Sequence, residues 1–193
     1  MTAPVSRFPV PDRADLPEDL RERYDAVEEK SGFLPNVFAA LAHRPAEARA
    51  FFAFHDALMD KDTPGLSTAD RELVVVATSA ANDCLYCVVA HGAIARIRSR
   101  DRFLADQVAV DWRKAPLDDR MRTVLDVAVR LATTPAEVTP DDLDALRAQG
   151  LDEEDVWDVG AIVSFFALSN RLAHWLAIPP NEEFYLLGRV PRS

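Results

Sequence analysis

Apolar residues recur every three or four positions along most of the chain, the spacing that gathers side chains on one face of an α-helix. Phe51, Phe54 and Leu58 show this pattern. Helix-start signals precede several apolar stretches, such as the capping sequence Ser67 to Asp70. The pattern predicts helices at about residues 17–30, 36–43, 45–60, 67–81, 83–98, 101–109, 118–133, 140–149 and 152–177.

Turn and strand signals favour the same all-α fold. Glycine is scarce, at 6 residues, and no Asn-Gly or Asp-Gly pair marks a β-hairpin. The run at 74–76 would suit a strand, but the cap before it and the alanines after it favour a helix. We expect an extended N-terminal arm at 1–15, one helical domain at 16–185 and a tail at 186–193.

Composition and charge argue against some classes of function. The 193 residues are enough for one substantial core, and 22 basic against 32 acidic residues leave a formal charge of -10. This charge argues against non-specific nucleic-acid binding and against attachment to an anionic membrane. The first fifteen residues lack the apolar core of a secretory signal, and the uncharged runs are too short to span a bilayer. We therefore expect a cytoplasmic protein.

One segment holds both cysteines together with two groups that can move or hold protons. Cys84 and Cys87 are separated by two residues, His91 follows the second by four, and Glu72 precedes the first by twelve. On one helix the two thiols and the imidazole share a face, and the thiols lie near the first turn, where backbone N–H groups favour a thiolate. A tight turn before that helix would bring Glu72 back to orient His91.

This arrangement is suited to dithiol redox chemistry. A thiolate can attack a hydroperoxide and become a sulfenic acid, a second thiol can then close a disulfide, and an external reductant can reopen it. Two other interpretations stay open: inert buried thiols, and a zinc site whose ligands are Cys84, Cys87, His91 and Glu72. A thioredoxin-like domain is disfavoured because no βαβ pattern surrounds the pair.

The spacing resembles the signature of the AhpD-like (alkylhydroperoxidase D) branch of the carboxymuconolactone decarboxylase family. That signature is a glutamate, eleven residues, Cys-x-x-Cys, three residues and a histidine, and it fits this chain without a gap. Further segments resemble the peroxidase-related subgroup: residues 32–36, 65–67, 71–73, 170–173 and 180–184. The resemblance spans roughly residues 16–185.

The resemblance implies an all-helical fold that forms homotrimers or homohexamers. It implies that Cys87 attacks the peroxide, that Cys84 donates a proton and resolves the sulfenic acid, and that His91 and Glu72 relay protons. The best-known members have a histidine directly before the second cysteine, where this chain has Tyr86, which we interpret as a pocket wall. No metal, flavin or haem is implied, and the reductant would be a thiol or a lipoylated protein.

We therefore expect a thiol-dependent peroxidase that acts on organic hydroperoxides or hydrogen peroxide. One alternative is a decarboxylase or lactone-processing relative, although such members generally lack the dithiol. Another is a disulfide reductase, or a redox sensor in which the cysteine pair changes a surface. A weak echo between 84–91 and 169–174 raises the hypothesis of two similar helical units, of which one carries the thiols. His43, His55 and His174 have no neighbours in sequence that indicate a role.

Overall fold

A computed structural model describes residues 4–189, and within this range the regular structure is helical, with no β-strand. The first three residues of the expected arm and the last four of the expected tail lie outside the described range. The α-helices are α1 Glu18–Ser31, α2 Asn36–Leu41, α3 Pro45–Met59, α4 Thr68–Ala81, α5 Leu85–Ser99, α6 Leu104–Asp111, α7 Asp119–Thr133, α8 Pro140–Ala148, α9 Glu153–Leu176 and α10 Glu183–Leu186. The all-α prediction is confirmed.

The helix ends follow the local signals in the sequence. Ser67 and Thr139 form capping boxes at the starts of α4 and α8. Gly32 and Gly150 follow α1 and α8 with φ of 86° and 88°, a left-handed conformation that glycine adopts without steric cost. The short helix α10 was not predicted, since the last helix expected from the sequence ends at about residue 177.

The centre of the fold is α4, which is enclosed by α5, α6, α7 and α9. All its residues from 71 to 79 are buried. A helix that is covered on every side needs no polar face, which explains why the apolar run at 74–76 resembles a strand in sequence. Glu72 is buried because it belongs to the segment 71–79, which the surrounding helices cover.

A buried ion-pair network fixes the first turns of α4 to α9. The guanidinium of Arg71 donates to Asp158 at 2.7 Å and to the Leu58 carbonyl at 3.0 Å. Lys61 donates to the second oxygen of Asp158 at 2.9 Å. Opposite charges in a buried network need these partners, since a lone buried charge is costly. The network therefore sets the register of α4, and with it the position of Glu72.

The long helix α9 has one buried face and one exposed apolar face. Trp157, Leu168 and Trp175 on the outer face are 73%, 51% and 66% exposed. On the inner face, buried residues such as Ile162, Phe166 and Ala173 face the core, where α9 contacts α4 and α5. None of the helices between residues 4 and 189 is both long enough and apolar enough to cross a membrane.

Candidate active site

The cysteine pair lies at the junction of α4 and α5, but the local geometry differs from the sequence-based expectation. Because asparagine and aspartate are common N-caps, the sequence predicts that Asn82 or Asp83 caps a helix that begins at Cys84, and this prediction is wrong. Cys84 is itself the N-cap of α5, and its Sγ accepts the backbone N–H of Cys87 at 3.4 Å. The connection is tight, since Asp83 has φ of 54° and the Cys84 N–H donates to the Ser79 carbonyl at 2.9 Å.

The two thiols are buried, and a hydrogen bond between them shifts their pKa values in opposite directions. Both cysteines are free and 2% exposed. The hydrogen bond from the Cys87 thiol lowers the pKa of Cys84 to about 7, against the opposing effect of burial. The pKa of Cys87 is raised well above its usual value by the same hydrogen bond and by burial. The first negative charge therefore rests on Cys84, and Cys87 gives its proton towards it.

A polar wall from α4 and α9 surrounds the second thiol. Hydrogen bonds from the hydroxyls of Ser169 and Ser79 favour the thiolate of Cys87 and act against the increase in its pKa. The Ser79 hydroxyl also lies 3.0 Å from the Asn170 side-chain oxygen, which competes with the sulfur for its single proton. Buried hydroxyls next to a sulfur can stabilise negative charge on it. The motif did not identify these residues, although the echo at 169–174 includes Ser169.

Glu72 and His91 meet as the motif predicted. The Glu72 carboxylate and His91 Nδ1 are 2.7 Å apart, and their side chains are 2% and 12% exposed. A carboxylate at this distance can accept the Nδ1 proton, which fixes the tautomer and the orientation of the ring. The contacts of the described residues include no direct hydrogen bond from His91 to a thiol, but its charge contributes to the lowered pKa of Cys84. Arg98 lies 3.7 Å from the other Glu72 oxygen.

Two histidines without a signal in the sequence lie at the site. The ring centroid of His55 in α3 is 6.2 Å from that of His91, and burial and the charge of His91 lower the pKa of His55. His174 in α9 lies with Nε2 3.0 Å from the Asn82 carbonyl, and its charge also lowers the pKa of Cys84. Because distant helices supply both rings, spacing along the chain could not identify them.

Tyr86 lies in the wall of a small cavity beside the pair. Its hydroxyl accepts the N–H of Val37 at 3.2 Å, and burial raises its pKa. The cavity measures about 10 Å³ and also includes Ser169 in its lining. This volume is about that of one water molecule.

Among residues 4–189 no group of three or more His, Cys, Asp or Glu side chains is arranged to hold a metal ion. The four residues of the zinc interpretation therefore do not converge as a ligand set. Instead they pair, with Cys84 against Cys87 and Glu72 against His91. Separate thiol and imidazole–carboxylate pairs can support proton transfer coupled to thiol chemistry.

Comparisons with known proteins give a family profile and solved structures of similar fold. The profile of the carboxymuconolactone decarboxylase family matches residues 45–102. An uncharacterized peroxidase-related protein from Ralstonia eutropha JMP134, described as an alkylhydroperoxidase AhpD core, is 54% identical over 99% of this chain and 100% of that chain, with a TM-score of 0.95. A peroxidase-related protein from Silicibacter sp. TM1040 is 36% identical over 98% and 100%, with a TM-score of 0.91.

A more distant structure shares the fold. The debrominase Bmp8 is 21% identical over 95% of each chain, with a TM-score of 0.76. The comparison with curated proteins gives no match.

Proposed function

The chain belongs to the AhpD-like branch of the carboxymuconolactone decarboxylase family, and on this basis we propose that it is a thiol-dependent peroxidase. The observation that carries the proposal is the pairing of a hydrogen-bonded dithiol with a buried imidazole–carboxylate pair. Cys84 has a pKa lowered to about 7, and Glu72 lies 2.7 Å from His91. These groups supply a nucleophile and a proton donor for hydroperoxide reduction.

The first step uses Cys87 as the nucleophile. Transfer of its proton to the Cys84 thiolate leaves a Cys87 thiolate, which the Ser169 and Ser79 hydroxyls stabilise. The Cys87 sulfur attacks the distal oxygen of the hydroperoxide, and the O–O bond breaks. The alkoxide leaves with the electron pair and takes a proton from the His91 imidazolium, while Cys87 becomes a sulfenic acid.

The second step closes a disulfide. The Cys84 sulfur attacks the Cys87 sulfur, the S–O bond breaks, and the hydroxide leaves as water with the Cys84 proton. The dithiol and one hydroperoxide thus give the disulfide, one alcohol and one water. An external dithiol, either a small thiol or a lipoylated protein, reduces the disulfide by exchange. We expect the working form to be a homotrimer or homohexamer.

The test is turnover with cumene hydroperoxide and either dithiothreitol or a lipoamide system. We expect several turnovers per subunit, loss of activity in Cys87→Ser, and a sulfenic acid at Cys87 in Cys84→Ser that dimedone traps. Dimedone labelling at Cys84 in the reciprocal variant would reverse the two roles. Val110→Ala is the control, since Val110 is 89% exposed on α6 and lies away from the cysteine pair.

The same experiment separates the alternatives. A redox sensor would be oxidised once and change its assembly state without turnover. A decarboxylase or lactone-processing enzyme would not need the dithiol, so its activity would survive in Cys87→Ser. A dithiol that reduces carbon–bromine bonds would consume 2,3,4-tribromopyrrole, the ligand in a Bmp8 variant structure, in place of cumene hydroperoxide.

A further inference from the structure

A large apolar groove lies on the outer side of the cysteine site, between α2, α3 and α9. Its volume is about 780 Å³, within the range of about 300–1,000 Å³ that is typical of small-molecule pockets. Phe54, Leu168 and Trp175 line it, and they are 50%, 51% and 66% exposed. Such a concave apolar surface is suited to a hydrocarbon ligand.

The groove is separated from the cavity beside Cys87 by three side chains. Leu41, Phe51 and Leu172 line both spaces, so one layer of side chains stands between them. On the inner side the cavity reaches Ser169, whose hydroxyl acts to lower the pKa of Cys87. The groove, these three side chains and the cavity at Ser169 thus lie one behind another on the side of α9 that leads towards the proposed nucleophile.

This route must open before a substrate can react. The inner cavity of about 10 Å³ admits one water-sized group, which is less than the two oxygens and attached carbon of an organic hydroperoxide. Leu41, Phe51 and Leu172 are half-buried, and each comes from a different helix. Side chains at a partly exposed edge change rotamer readily, so these three can move without unfolding the site.

The near-neutral lining of the groove favours an apolar ligand over a charged one. Arg44 and Glu47 line its rim, and they pair with each other at 2.8 Å. The wall therefore offers little net charge to a ligand, and its remaining lining is largely apolar. Binding strength would come from burial of hydrocarbon, which favours a longer chain by about fourfold for each fully buried methylene.

We propose that this groove binds the hydrocarbon chain of a long-chain hydroperoxide, and that Leu41, Phe51 and Leu172 form its gate to Cys87. The identity of the oxidant rests on the proposed peroxidase function. The route does not, because any apolar electrophile that reacts with thiols would follow it.

The route is tested without peroxide. In a Cys84→Ser background, Cys87 is modified at one fixed pH with methyl, butyl and octyl methanethiosulfonate. We expect the rate to rise with chain length, by about two- to fourfold per methylene that enters the groove. Leu172→Trp, which fills the gate, and Trp175→Ala, which removes an exposed groove wall, should each reduce this dependence. Val110→Trp is the matched control, since Val110 is 89% exposed on α6, away from the groove.

The substrate class is tested separately with the unmodified cysteine pair. We expect kcat/KM for an 18-carbon fatty-acid hydroperoxide to exceed that for hydrogen peroxide, and Trp175→Ala to reduce this ratio at least severalfold. If the thiosulfonate series follows the prediction but no hydroperoxide is turned over, the route stands and the peroxidase proposal fails.

Two results would overturn the route. One is a modification rate that does not depend on chain length in the unaltered groove. The other is a change of subunit number in Trp175→Ala with the chain-length dependence unchanged, because the groove would then be an interface between copies of the chain.

Discussion

Replacement of Cys87 by alanine should raise the pKa of Cys84. The hydrogen bond from the Cys87 thiol is the largest cause that lowers the pKa of Cys84 from 9.0 to about 7. Alanine removes that donor and keeps the backbone N–H, so the pKa should return most of the way to 9.0. A full return is two units, or about 2.7 kcal/mol. At pH 7 the thiolate fraction of Cys84 would then fall from about half to a few per cent, by about 10- to 50-fold.

The measurement is the rate of Cys84 alkylation by iodoacetamide between pH 5 and pH 10, with the modified residue identified by mass spectrometry. Because the pKa is raised in the variant, its rate at neutral pH should be lower and should recover as the pH rises. Cys87→Ser keeps an O–H donor and should lie between the wild type and Cys87→Ala. The reasoning is refuted if Cys84 still titrates near pH 7 in Cys87→Ala. It is also refuted if Cys87 is the thiol that the wild type alkylates first.

The other predictions concern the relay, the polar wall and the packing. His91→Ala should raise the pKa of Cys84, since the imidazolium charge is lost, and an unchanged iodoacetamide profile would exclude His91 from the relay. Ser169→Ala should raise the pKa of the second thiol and slow dimedone-trappable sulfenic acid formation by peroxide; an unchanged rate would show that the hydroxyl has no effect. Gly65→Ala should lower the free energy of unfolding by about 1–3 kcal/mol in urea, because its Cβ would lie 2.8 Å from a buried carboxyl carbon. At Gly160 in α9 a new Cβ would meet no neighbouring atom within 4 Å, so Gly160→Ala should raise the free energy of unfolding by about 1 kcal/mol. A Gly65→Ala variant more stable than Gly160→Ala would contradict this account of the packing.

Local signals were sufficient for most helix boundaries. Capping at Ser67 and Thr139 and the left-handed glycines 32 and 150 act within a few residues, so the sequence shows them directly. The prediction failed at Cys84, where we expected Asn82 or Asp83 to act as the cap. Those residues are common N-caps, but the turn from α4 leaves Asp83 at positive φ, and the next residue becomes the cap.

The motif was informative for the relay because its spacing encodes a contact between adjacent helices. Residues 72 and 91 lie on helices joined by a very short turn, so their separation along the chain almost determines their meeting in space. The rings of His55 and His174 have no such constraint. Each comes from a helix that is distant along the chain from the turn between α4 and α5, and it meets the site only through tertiary packing. No spacing rule therefore links it to the thiols.

The sequence by itself therefore determined the all-helical fold, the helix caps, the dithiol and its imidazole–carboxylate pair, since these depend on neighbours along one or two consecutive helices. Only the tertiary structure decided which sulfur carries the first negative charge, because the burial of Cys87 and its hydroxyl partners involve side chains from two separate helices. The tertiary structure also creates the groove that we propose for substrate binding, since α2, α3 and α9 line it only when they are packed together.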